Sequence, residues 1–160
     1  MTERLQIGGY EIEFDKEATL AAYSRIPVPG PERCGCAYCR NWVVGRKHAV
    51  PAYSKELLLK LGIPDNGEIE VYEYPGGSKP HGYSGWYMFV GRILSKSSDE
   101  TNGFGPDIFR MKFTAGRSFR VSAFDGHSTC ELQFSTELDE YLRPEDYRSS
   151  PKKIAQLGPE

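Results

Sequence analysis

The sequence has 160 residues, of which 39% are hydrophobic and 26% charged, and its formal net charge is -2. These values are typical of a folded domain, and they argue against wholesale disorder and against nucleic-acid binding through a broadly basic surface. Because no apolar run reaches the length of a membrane span and residues 1–5 lack the apolar core of a secretion signal, we expect a cytoplasmic protein that does not enter a membrane.

The N-terminal residues predict a β-hairpin followed by a helix. Residues 5–7 and 10–14 flank Gly8-Gly9, and paired glycines tolerate the positive φ values that tight hairpin turns require. Alternate residues of the second strand, beginning with Tyr10, then share one face. Asp15 can cap a helix that runs to about Ser24.

The next segment contains several prolines. Residues 27–31 (PVPGP) predict an extended approach to a group of cysteines, because each proline disfavours helix at the preceding residue. Residues 40–46 can form two helical turns. A better-defined helix begins near Pro51, has apolar residues four positions apart, and stops at Gly62.

The second half of the chain predicts an antiparallel sheet of about five strands. Apolar and polar residues alternate in most of these segments, which favours one buried and one solvated face. Aromatic residues on both faces of the second segment predict a central strand that is covered on both sides. The predicted strands are residues 68–74, 82–94, 108–114, 118–124 and 129–135.

These elements predict an α+β fold, with an N-terminal hairpin and two or three short helices around the cysteines, beside the sheet. We expect residues 1–148 to form a single domain. Residues 149–160 are expected to form a loose C-terminal tail.

Cys34, Cys36 and Cys39 lie within six positions, in a segment named here the cysteine knuckle (residues 34–39, CGCAYC). A turn with this spacing can direct three sulfur atoms at one point, and clustered thiols in a reducing compartment are usually ligands or catalysts. Soft thiolates favour zinc, so we predict a structural zinc ion. We also expect Cys39, at a helix start beside Arg40, to ionise more readily than a free thiol.

A closed structural zinc site needs a fourth ligand. His81 is our first choice, because it lies in a turn from which its ring could reach the knuckle. His48, His127 and Cys130 are the alternatives. Cys130 follows the alternation of apolar residues in the last strand, which favours a place in the core.

Three segments resemble a loose group of small uncharacterised bacterial proteins, over about the middle half of this chain. They are Cys34 to Trp42 (CGCAYCRNW), the helix end Leu61-Gly62-Ile63, and His81 to Gly91 (HGYSGWYMFVG). The resemblance implies that a cysteine knuckle and a histidine turn occur together, which places His81 near the metal. It implies no function that could be transferred.

Two groups of side chains could form a binding surface. Aromatic rings can stack on a sugar, a base or a peptide, and basic residues on one hairpin face can attract an anion. The plainer interpretation is a filled core for the rings and cross-strand pairing with Glu68, Glu70 or Glu131 for the charges. The residues are Tyr72, Tyr74, Tyr83 and Trp86 in the first group, and Arg110, Lys112, Arg117 and Arg120 in the second.

The sequence favours a non-enzymatic, zinc-stabilised binding or protein-interaction module. Its partner, a protein or a small ligand, stays open, as does its oligomeric state; a nucleic-acid partner is disfavoured. One alternative is a metal-dependent hydrolase with water at the fourth position and Glu32 as base. Another is a small redox protein that cycles a Cys36/Cys39 disulfide.

Overall fold

The computed structural model describes residues 1–97, 103–106, 108–116 and 119–147. The predicted tail, residues 149–160, and Arg117 of the predicted hairpin lie outside these ranges. Within them, four helices and a six-stranded antiparallel sheet confirm the α+β class. No helix in this described part has both the length and the apolar character that a membrane crossing requires.

The sheet is organised around one long central strand. The strand order is β1-β2-β4-β6-β5, and β3 also pairs with β4. β6 lies along one edge of β4, while β3 and β2 pair in succession with the other edge. The strands are β1 (Glu3–Ile7), β2 (Tyr10–Phe14), β3 (Glu70–Pro75), β4 (His81–Lys96), β5 (Arg110–Thr114) and β6 (Thr129–Leu138), and the helices are α1 (Lys16–Ser24), α2 (Gly30–Cys34), α3 (Ala37–Ala49) and α4 (Ala52–Leu61).

The N-terminal hairpin and α1 form as the sequence predicts. Gly8 and Gly9 turn the chain with φ values of 54° and 78°, which side-chain-bearing residues rarely adopt. The second strand buries Tyr10 and Phe14. Asp15 caps α1, because its Oδ1 accepts a hydrogen bond from the backbone N–H of Ala18 at 2.9 Å.

Replacing Asp15 with alanine is expected to lower the free energy of unfolding by about 1 kcal/mol, because the first turn of α1 loses its side-chain acceptor. Asp15→Asn keeps an acceptor oxygen, so it should cost less. Urea titration of both variants measures the difference. Equal losses would show that the cap does not stabilise α1.

Both faces of β4 are buried, which confirms the prediction of a doubly covered central strand. On one face, Tyr87 and Phe89 pack in a cluster that includes Trp42 of α3 and Leu58 of α4. On the other face, Met88 belongs to a second cluster, formed with α1 and residues 119–124. Helix α3, which carries Cys39, therefore lies on the first face.

Residues 119–124 do not form the predicted strand. They are irregular as far as Val121 and continue as a 3-10 turn, Ser122–Phe124. Phe119 and Val121 are nevertheless buried, on the sheet face that carries Trp86. Alternating apolar residues indicate that a segment is buried. Residues 119–124 are buried because they cover a face of the sheet, not because they form one of its strands.

Helix α2 was also missed, because it begins inside the proline segment that we predicted to be extended. Pro29 is extended, with φ -58° and ψ 157°, and the helix begins at Gly30. Pro31 suits the first turn, where a backbone N–H has no helical acceptor. A Cβ added to Gly30 would lie 2.3 Å from the carbonyl oxygen of Ile69, so α2 packs directly on the chain that leads into β3.

Candidate metal centre

The cysteine knuckle is the turn between α2 and α3. Cys34 is the last residue of α2, and Gly35 reverses the chain with a φ of 66°. Cys36 caps α3, because its Sγ accepts a hydrogen bond from the backbone N–H of Cys39 at 3.5 Å. Two helix ends and one left-handed residue therefore bring the three cysteines together.

The three thiols are close enough to share one ion. Their Sγ atoms all lie within 4.8 Å of one another. Thiolates around a tetrahedral zinc ion lie about 3.8 Å apart when the Zn–S bonds are about 2.3 Å, so small side-chain rotations suffice. Cys34 is exposed, Cys36 half-buried and Cys39 buried. The knuckle could therefore hold a metal ion at the protein surface.

Cys36, not Cys39, has the lowered thiol pKa. The hydrogen bond from the Cys39 thiol, together with those from backbone N–H groups at the start of α3, lowers the pKa of Cys36 to about 5, against the opposing effect of burial. The same thiol contact, with burial, raises the pKa of Cys39. Our expectation for Cys39 was wrong, because the capping position receives the free N–H groups of the helix and the first-turn position does not.

The candidate fourth ligands lie apart from the thiols. All three histidines and Cys130 belong to the described residues, and none of them joins the three-cysteine group. Cys130 is buried in β6, where its Sγ donates to the carbonyl oxygen of Gly91 at 3.5 Å. His48 stacks on Tyr141 with ring centroids 5.6 Å apart, and His127 is exposed in a turn.

His81 is buried between two acidic side chains. Its Nδ1 lies 3.3 Å from Glu73 Oε1, and its Nε2 lies 3.7 Å from Glu140 Oε1. The ring stacks on Tyr147 with centroids 5.4 Å apart, and its centroid lies 6.0 Å from that of Tyr38 in the knuckle. That His81 ligates the metal stays a prediction, and this arrangement does not support it.

A partly buried charged network, which the sequence did not predict, ties the knuckle to the sheet. Arg46 of α3 pairs with Glu32 of α2 and, at 3.0 Å, with Glu68 just before β3. Glu68 also accepts a hydrogen bond from the indole N–H of Trp42 at 3.1 Å. Burial raises the pKa of Glu68 to about 7, although the charge of Arg46 opposes this rise. No local pattern predicts the network, because Arg46 is 14 and 22 residues from its two acidic partners.

Asn41, which is fully buried, provides a second link between α3 and the sheet. Its Nδ2 donates to the carbonyl oxygen of Asp139 at 3.1 Å and to the hydroxyl of Tyr83 at 3.3 Å, and its Oδ1 accepts from the backbone N–H of Tyr141 at 2.6 Å. The Tyr83 hydroxyl donates in turn to the carbonyl oxygen of Tyr38 at 2.7 Å. These bonds fix α3 against β4 and the segment after β6.

The aromatic part of the predicted binding surface is largely internal. Tyr83 is 1% exposed and Trp86 7% exposed, so neither is accessible to a partner. These two predictions were wrong, because both faces of β4 are covered. Tyr72 and Tyr74 of β3 are half-buried, so their role in binding stays a prediction.

The basic residues do not share one hairpin face. Arg110 donates to the carbonyl oxygens of Gly103 and Gly105. Arg120 lies outside the sheet and pairs with Asp125. Lys112 is exposed on β5. The predicted basic surface is therefore divided between separate elements.

Glu68 is one of the three acids that the plainer interpretation offers as cross-strand partners for these basic residues. It is bound instead to Arg46 and Trp42, inside the protein.

Comparison with known proteins adds no relative. No protein-family model matches the chain, and no curated protein or solved structure matches it.

Proposed function

We propose that this protein is a non-enzymatic binding module whose fold is stabilised by a zinc ion held by Cys34, Cys36 and Cys39. The observation that carries the proposal is the approach of three Sγ atoms to within 4.8 Å of one another in a single turn. Thiolates are soft ligands that favour zinc over the hard cations magnesium and calcium. The ion joins the end of α2 to the start of α3.

The surroundings of the thiols favour a structural role over hydrolysis. A hydrolytic zinc enzyme needs a base beside its metal-bound water. Glu32, the acid closest in sequence, is paired with Arg46 and is not part of the thiol group. Three thiolates also give the zinc site a net negative charge, which weakens its ability to activate water.

The partner surface is best sought on β3. Tyr72 and Tyr74 lie on this strand and keep part of their side chains accessible. Tyrosine is favoured at binding surfaces because its ring packs and its hydroxyl forms hydrogen bonds. A protein or small ligand that contacts these rings fits the proposed module.

Elemental analysis of protein purified without added metal tests the zinc site. We expect about one zinc ion per chain in the unmodified protein, because a single group of ligands is available. Cys34→Ser and Cys39→Ser should each lose most of this zinc, whereas His81→Ala and Cys130→Ala should retain it. Unmodified protein without metal, or full zinc in Cys39→Ser, would contradict the proposal.

A further inference from the structure

Among the residues that the structure describes, no fourth ligand joins the three thiols. Every cysteine and histidine of the sequence lies within the described residues, and Cys34, Cys36 and Cys39 are the three that meet. No described aspartate or glutamate joins them. Zinc in thiolate sites is almost always four-coordinate, so the fourth donor has to come from outside this group.

The outer side of the knuckle is open to solvent. Cys34 is exposed and Cys36 half-buried, whereas Cys39 is buried on the side of α3. Apart from its two chain neighbours, a Cβ built on Gly35 would meet no described atom closer than the carbonyl oxygen of Glu32, at 4.0 Å. A ligand that approaches from the side of Cys34 therefore meets little obstruction at the turn.

The three donors and their charged neighbours select the chemistry of the fourth ligand. Soft thiolate sites prefer soft ligands, so sulfur is favoured over oxygen. A thiol that coordinates zinc loses its proton outright and binds as an anion. Arg40, which follows Cys39 in the sequence, is exposed, and a positive charge in this segment favours an anionic ligand.

We propose that the open position binds the thiolate of a small exogenous thiol. The inference rests on the proposed zinc site and adds the class of ligand that this site takes. When the thiol binds, the bond from zinc to its water breaks, the water leaves, a zinc–sulfur bond forms, and the thiol proton passes to solvent. No electron is transferred, so the step needs no oxidant.

Cobalt(II) in place of zinc gives a visible probe of the ligands. The full chain, prepared without thiol reductants and loaded with cobalt, is titrated with β-mercaptoethanol at neutral pH. The sulfur-to-cobalt charge-transfer absorption should rise by about a third, because four thiolates replace three, and should saturate. Ethylene glycol, in which oxygen replaces the sulfur, should leave the spectrum unchanged. Cys130→Ala is the matched thiol control and should respond like the unmodified protein.

The possible failures are distinguishable. One bound cobalt per chain with no response to β-mercaptoethanol would overturn the inference and leave the proposed metal site intact. A four-thiolate spectrum before any thiol is added, with one cobalt per two chains, would also overturn it, because a second copy would then supply the ligand. Protein that binds no cobalt would reject both the metal site and its thiol ligand.

Discussion

Replacing Cys39 with serine is expected to lower the free energy of unfolding by about 3 to 4 kcal/mol and the melting temperature by about 10 °C. A metal that binds only the folded state stabilises it by about 2.7 to 4.1 kcal/mol when its free concentration is 100 to 1,000 times the dissociation constant. Cys39 is the buried member of the group, so serine removes a sulfur donor where no other thiol can replace it. Calorimetry in a zinc buffer measures the change.

A chelator separates metal loss from damage to the core. Removing zinc should lower the melting temperature of the unmodified protein to that of Cys39→Ser, and should leave the variant unchanged. Cys130→Ala is the matched control, because Cys130 is buried but lies outside the group. It should keep its response to the chelator and lose only about 1 kcal/mol for a small cavity. If the chelator lowers the melting temperatures of the unmodified protein and of Cys39→Ser equally, the stabilisation does not come from this site.

The elements predicted from sequence are those whose causes are local. Gly8-Gly9 supplies the hairpin turn, Asp15 supplies its own cap to α1, and Gly62 ends α4 with a φ of 83°. The three-cysteine group was predictable for the same reason. Its ligands lie in one turn, so sequence spacing and spatial distance convey nearly the same information.

The errors arise where a residue's partner is distant in sequence. Apolar alternation in residues 119–124 correctly indicated burial, but nothing in it showed whether a strand pairs beside it. His81 lies in a strand rather than a flexible turn, and Glu73 holds its ring. The Arg46 network depends on the packing of α2, α3 and the start of β3, which no short pattern encodes.

Replacing Arg46 with methionine is expected to lower the free energy of unfolding by about 3 to 5 kcal/mol, the usual cost of removing one partner from a buried ion pair. The methionine retains much of the packing volume but leaves Glu68 without its cation. The Glu68 side chain is 0% exposed, so water cannot replace the lost contact without rearrangement of the protein. Urea titration measures the loss.

The loss in free energy of unfolding caused by Arg46→Met should increase with pH. Burial raises the pKa of Glu68 from 4.5 to about 7, whereas Arg46 acts to lower it. Between pH 4.5 and about pH 7 the folded protein binds more protons at Glu68 than the unfolded protein does, so its stability falls as pH rises. Without Arg46 the folded-state pKa moves higher and this window widens. The variant should therefore lose more stability at about pH 8 than at about pH 5.

Two further variants distinguish the effect of an uncompensated Glu68 carboxylate from the effect of lost packing. Arg92→Met makes the same change in an exposed pair, where Arg92 Nε lies 2.9 Å from Glu13 Oε1, and should cost at most about 1 kcal/mol. Adding Glu68→Gln to Arg46→Met removes the uncompensated carboxylate, so the double variant should be more stable than Arg46→Met at about pH 8 and should lose the pH dependence. A double variant that is no more stable than Arg46→Met at about pH 8 would mean that the loss in Arg46→Met does not come from an uncompensated charge on Glu68.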